Sequence, residues 1–215
     1  MNAEGVRLFE QARYDEAIHQ FHESVNNDPK NPDGYYNLAR VHHHLGKLNQ
    51  DESALSQAKH YYDMCRHHDA SHAECHRGLA VLLVDQGKSE ESFRLLEDWA
   101  QREPLSSEPR IELARLYEEF GDRETAIEQL RSAVTIDHRN ARAFAALGRL
   151  QEQIGDSVQA LKDYERAHQY DPRQEEVAAR IAALRSRQIS GTVGGGYPSS
   201  ADGTRVVRGS ANPAR

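Results

Sequence analysis

The chain has 215 residues, 38% of them hydrophobic and 28% charged, and carries a formal net charge of -7. That length fits one ordinary domain or one repeat array, and a chain this polar folds only if its core is thin and continuous or if part of it stays disordered. The negative balance argues against nucleic acid as a partner, because a nucleic-acid surface calls for a basic face.

Local segments narrow the class further. The longest apolar run, Leu79 to Val84, falls far short of the ~20 residues of a membrane span. Met1 to Glu4 shows no basic stretch leading into an apolar one, so no signal peptide is expected. Cys65 and Cys75 are the only cysteines. Two make no disulfide framework, which fits a reducing, cytoplasmic setting.

In chain order, one pattern returns five times. The first copy runs from Gly5 through Ala12, Ala17, Phe21 and Ser24 to the turn Asp28-Pro29. The second opens at Asn31-Pro32 and continues through Leu38-Ala39, Gly46, Ala58, Tyr62 and Cys65 to Asp69-Ala70. The third opens between Ser71 and Glu74 and passes through Leu79-Ala80, Gly87, Ser92, Leu96 and Trp99 to Glu103-Pro104. The fourth and fifth, from Ser106 and Asn140, carry Leu113-Ala114 and Leu147-Gly148, then Gly121 and Gly155, then Ala126 and Ala160. They close at Asp137-His138 and Asp171-Pro172. The last three copies repeat every 34 residues.

Each element of the pattern has a physical reason. Small residues such as Ala114 and Ala126 let two antiparallel helices approach closely. The glycine ends the first helix, since a left-handed residue costs glycine little. Asp122 and Asp156 stand where the second helix needs a cap, and Pro29, Pro104 and Pro172 stop that helix because proline lacks the amide donor. Relative to the other copies, the second has seven extra residues between Gly46 and Ala58. Seven residues are two turns, so a hairpin longer by one turn in each helix keeps its register; Asn49 with Glu52 offers a capping box for it. Trp99 stands where a small residue is expected and Arg110 where an aromatic is expected, which suggests a volume swap in which the indole fills the space that Arg110 leaves.

This pattern resembles the tetratricopeptide repeat, a 34-residue helix-turn-helix unit. The match is best in Ala141–Gln174, where Phe144, Leu147, Gly148, Ala160, Tyr164, Ala167 and Pro172 fall on the family pattern and Gln151 replaces its tyrosine. The resemblance implies an all-α, right-handed superhelical solenoid with repeats at about 1–31, 32–72, 73–106, 107–140 and 141–174 and a capping helix at 175–189. From 190 to 215 the composition turns rich in Gly and Ser, and a disordered tail is expected there. The first repeat starts without a preceding cap, so Met1 is expected to be a truncated start.

No catalytic, cofactor or metal motif emerges. Gly87-Lys88-Ser89 lacks the upstream glycine and strand of a phosphate-binding loop, His22-Glu23 lacks a second histidine, and there is no C-x2-C. Histidine is locally dense, with eight of 12 between 42 and 76. His72 and His76 stand four apart, a spacing that suits one metal, although His76 and Cys65 also fall on packing positions. Metal binding by the 42–76 region is therefore the alternative function, with a regulatory fragment of a larger enzyme as another.

The leading expectation is non-catalytic protein–protein interaction, as a scaffold or adaptor. In the family that this chain resembles, the first helices line a concave groove that takes a peptide or helix of another protein. The residues following each small packing residue are Val6, Arg40, Val81, Arg115 and Arg149, with Tyr36, Asn37 and Arg77 nearby. Some family members grip a chaperone's carboxylate tail through Lys-x3-Asn and Lys-x3-Arg on first helices. This chain has no Lys-x3-Asn, and its only Lys-x3-Arg, Lys162 to Arg166, lies on a second helix, so that role is not expected.

Overall fold

The computed structural model describes residues 2–193, and within them every regular element is a helix. Helices α1 (Asn2–Glu10) and α2 (Tyr14–Asn27) make the first antiparallel pair, α3 (Pro32–Asn49) and α4 (Glu52–His68) the second, and α5 (Ala73–Asp85) and α6 (Ser89–Arg102) the third. Helices α7 (Glu108–Glu119) and α8 (Arg123–Ile136) make the fourth, α9 (Ala141–Gln153) and α10 (Ser157–Tyr170) the fifth, and α11 (Glu175–Val193) follows. The segment expected as a tail, 190–215, lies outside the described residues except for the end of α11, as does Met1. No helix among the described residues is long and apolar enough to cross a membrane.

Each helix packs on its neighbours in sequence, and the further contacts run between first helices: α1 on α3, α3 on α5, α5 on α7. The result is an all-helical repeat solenoid whose first helices line the inner side. Its apolar residues fall into clusters distributed along the array rather than into one central core. That is how a chain with so little hydrophobic content buries enough of it: every layer is thin and borrows its second wall from the next repeat.

Helix ends follow local chemistry. Gly87, Gly121 and Gly155 have φ of +73°, +84° and +88°, the left-handed conformation that ends a helix at little cost only for glycine. The Asp122 and Asp156 carboxylates accept from the backbone N–H of Thr125 and Gln159 and so start α8 and α10. In the lengthened repeat the expectations shift. Gly46 lies inside α3 and is buried, and Gln50 takes the left-handed turn at φ 54°. Here glycine serves close packing: a Cβ on Gly46 would stand 2.6 Å from Leu55 Cδ2. The cap of α4 is Asp51, which accepts from the N–H of Ser53 and Ala54, and not the expected Asn49.

Packing turns on one small residue per pair. Ala17, Ala58, Ser92, Ala126 and Ala160 are all 0% exposed. A large neighbour one turn on, Phe21, Tyr62, Leu96, Leu130 or Tyr164, is buried beside each. The aromatic ones lie close to a glycine of a first helix, so that a Cβ on Gly148 would meet Tyr164 at 2.7 Å and one on Gly78 would meet Tyr62 at 2.4 Å. Trp99 finds its partner in His76, stacked at 4.1 Å with 3° between the planes. Arg110 instead donates to Gln129 on α8. The large residue at a small position is therefore accommodated by a flat imidazole in the preceding first helix, and the expected exchange with Arg110 is replaced by this stack.

Substituting Ala126 with leucine should lower the stability of the chain by about 1–3 kcal/mol, because a filled crossing must be forced apart. The same residue introduced at the exposed Ser132 of α8 should change stability by no more than ~0.5 kcal/mol. Chemical denaturation of the two variants measures the contrast.

Candidate partner-binding groove

The inner face is organised around a buried carboxylate. Glu112 of α7 is 2% exposed and is reached from three successive first helices. Arg77 of α5 donates to Glu112 Oε1 from Nε at 2.9 Å and from Nη2 at 2.6 Å. Arg142 of α9 donates to the same oxygen through Nη2, and through Nη1 to Glu108 Oε2 at 2.6 Å. Arg115 stands one turn away on α7, with Nη1 3.9 Å from Glu112 Oε2. Burial by itself would raise the Glu112 carboxyl, but the Arg77 hydrogen bonds and the charges of Arg77 and Arg142 outweigh it and hold the group below the usual glutamate range. A buried carboxylate is tolerable only with such partners.

The arginines expected in the groove thus divide into two kinds. Arg77 is turned to Glu112, and Arg149 holds Glu118 with both guanidinium nitrogens, Nη2 at 2.6 Å from Oε2. These two are tethered within the array. Arg40 has no acidic partner among the described residues; its guanidinium lies over the rings of Phe9 and Tyr36, 5.2 and 5.6 Å from their centroids. Arg115 is half exposed and has only the long contact to Glu112. Val81 and Val6 are partly buried, as is Tyr36, whose hydroxyl is shifted upward by burial. Asn37 is buried, 7% exposed, and presents little surface to a ligand.

Two depressions lie along this face. One, between α5 and α7, is lined by Arg77, Val81, Arg115 and Glu119 among others. The next, between α7 and α9, is lined by Arg115, Glu118, Arg142 and Arg149. Arg115 belongs to both. Sequence reasoning missed Arg142 and Glu118, yet a signal for the first was present: Arg142 and Glu108 lie one 34-residue period apart, an acid and a base at equivalent positions of adjacent first helices.

The histidine-rich repeat is largely an aromatic packing layer. His43 is buried and hydrogen-bonded to Asp85 at 2.9 Å, His42 stacks on Tyr61, His68 on Tyr35, and His44 packs on Phe9 and Tyr14. His76 Nε2 donates to the Ala70 carbonyl at 2.9 Å, and burial between the repeats pushes its imidazole down to about 4. His72 and His76 do not converge as an i, i+4 pair, because His72 caps α5 and faces Asp33 while His76 faces Trp99. The cysteines also depart from expectation. Cys65 at the end of α4 and Cys75 at the start of α5 are joined as a disulfide, with Cα atoms 6.3 Å apart. The turn between the helices folds back so that residues ten apart in sequence become neighbours, which a repeat pattern does not reveal.

Comparisons with known proteins agree with this architecture. Family models described as TPR repeat and tetratricopeptide repeat match residues 5–46 and 83–150. No curated protein sequence matches the chain. Among solved structures, a thermophilic TPR protein of Thermus thermophilus is similar with a TM-score of 0.61 at 22% identity, over 86% of this chain and 97% of that one. Yeast Tom70 gives a TM-score of 0.67 at 19% identity over 81% of this chain but only 36% of its own length. PilF of Pseudomonas aeruginosa gives 0.54 at 16% identity over 91% of each. At these identities the likeness is one of fold.

The Glu112 network carries a pH signature. A carboxylate whose folded pKa is depressed contributes stability above its unfolded value, about 4.3 for glutamate, and that contribution is lost as pH falls through the lower folded value. At pH 7, Glu112→Gln should therefore be less stable than the parent chain by about 2 kcal/mol, the scale of a hydrogen bond to a charged group. The gap should close as pH falls below about 4, as thermal melts of both proteins across that range will show.

Proposed function

We propose that this chain, which belongs to the tetratricopeptide repeat family, is a scaffold or adaptor that holds an extended segment of another protein along its inner face. Tetratricopeptide repeats are protein-interaction modules and generally non-catalytic, and the fold here is theirs. The observation that supports the finer reading is the division among the arginines. Arg77, Arg142 and Arg149 are engaged by Glu112, Glu108 and Glu118, whereas Arg40, over two aromatic rings on α3, and Arg115 on α7 have no acid within hydrogen-bond distance.

Between those two lies α5, with Val81 facing the same side. Packed helices stand roughly 8–10 Å apart, so two steps span about 16–20 Å, the reach of five or six residues of extended chain at about 3.3 Å each. A suitable partner segment carries a carboxylate near each end of such a stretch and an apolar side chain between them. Charge-assisted, forked hydrogen bonds from guanidinium to carboxylate supply orientation as well as affinity.

The test is titration of a partner segment, identified by crosslinking in native lysate, against two charge-reversed proteins. Arg40→Glu with Arg115→Glu should weaken binding about 10–100-fold, the effect of losing hot-spot contacts of ~1–3 kcal/mol. Arg94→Glu with Arg131→Glu, exposed residues of the second helices α6 and α8, changes net charge equally and should leave affinity within about twofold, as surface changes away from a contact do. Equal affinity of all three proteins would remove the inner face from consideration.

A further inference from the structure

We propose that Cys65, His72 and Cys75 form a thiolate-histidine site for a zinc-class divalent cation, of which the disulfide is the oxidised closed form. The three offer ligand atoms that all lie within 4.8 Å of one another. Zinc bonded at about 2.3 Å to sulfur and about 2.0 Å to nitrogen holds its ligand atoms roughly 3.5–3.8 Å apart, so small side-chain adjustments suffice. The spacing is local, with Cys65 on the last turn of α4, His72 at the cap of α5 and Cys75 on its first turn. Both cysteines are 0% exposed, and an apolar shell of Tyr35, Val25 and Met64 surrounds the sulfurs.

A second, independent observation is the orientation of His72. Its Nε2 lies 3.2 Å from Asp33 Oδ1 at the start of α3. Donation to that carboxylate places the proton on Nε2 and leaves the Nδ1 lone pair on the side of Cys75, where it accepts the Cys75 backbone N–H at 3.3 Å as the cap of α5; binding a cation exchanges that one hydrogen bond for a metal bond. A carboxylate behind a ligating imidazole is the outer-shell arrangement that orients the ring and raises its basicity. A water completes a tetrahedral set. A cation here would tie together α3, α4 and α5, the junction of the second and third repeats. The surface histidines of the same region lack this combination of thiolates and an oriented imidazole.

The chemistry balances with simple reagents. Reduction of the S–S bond by a phosphine in water gives two thiols and the phosphine oxide, water supplying the oxygen and the two protons. Binding of the divalent cation then releases both thiol protons to solvent.

The experiment uses the full chain, reduced with a phosphine, freed of excess reagent and titrated with Co2+ under argon. A thiolate-to-cobalt charge-transfer band in the near ultraviolet, with tetrahedral visible bands, should grow to saturation at one equivalent and vanish on adding Zn2+. Adventitious binding to surface histidines gives no such charge-transfer band. His72→Asn preserves a capping side chain and should weaken cobalt binding at least tenfold. Asp33→Asn, at an exposed position, should weaken it about 10–100-fold. Cys75→Ser should abolish the band. Absence of the band in the reduced parent protein would overturn the proposal, as would unchanged affinity in both His72→Asn and Asp33→Asn, whose folding circular dichroism will verify.

Discussion

Two helices of a hairpin can lie against each other along their whole length only if nothing larger than a serine stands where they cross. Ala17, Ala58, Ser92, Ala126 and Ala160 meet that condition, each with no exposed surface. Everything else about the array follows from it. Close crossing brings the large residue one turn later against a first helix, where Tyr62 presses on Gly78 of the following repeat and Tyr164 on Gly148 of its own. Layers so formed are thin, and each must borrow a wall from its neighbour. At a later small position of the second helix, held by Cys65, Ala133 and Ala167 in other repeats, the third repeat has Trp99, which is met by His76 lying flat against it. A bulky side chain is thus admitted where its opposite number is planar.

Stacking has an electrostatic consequence for the inner face. Successive first helices approach one another there, so charged residues at equivalent positions of adjacent repeats face each other across a short gap. Arg142 with Glu108 is such a pair, one period apart, and Arg77 with Glu112 and Arg149 with Glu118 bridge adjacent repeats from positions 35 and 31 residues apart. Glu112, sunk between α5 and α9, is the most constrained of these and binds three repeats into one inner surface. Arginines that satisfy a buried acid are spent on the array itself. What remains without a close acid is Arg40 over its aromatic rings and Arg115 beside two depressions, and these are the cations that the proposed function assigns to a partner.

Much of this was legible in the sequence because it depends on periodicity. The glycines at 87, 121 and 155 recur at fixed spacing and take the left-handed turn at each helix end. Gly46 misled because the two inserted turns move the helix end to Gln50 and leave the glycine in a packed crossing with Leu55. Asn37 falls at the right height along α3 for the groove, but its side chain is buried. Which arginines are tethered could not be read from one helix at a time, since the acid that claims each lies about thirty residues away. The Cys65–Cys75 proximity is set by the path of a single turn, a feature outside any repeat.

The inner-face cations divide into those that hold the array and those with no close acid, and the three arginines around Glu112 test that division under one geometry. Arg77→Ala and Arg142→Ala, measured by chemical denaturation at pH 7, should each cost about 1–3 kcal/mol, because each removes a charged hydrogen-bond donor from a buried carboxylate. Arg115→Ala, which removes only the 3.9 Å contact, should cost no more than ~0.5 kcal/mol. A loss for Arg115→Ala as large as for Arg77→Ala would contradict the division.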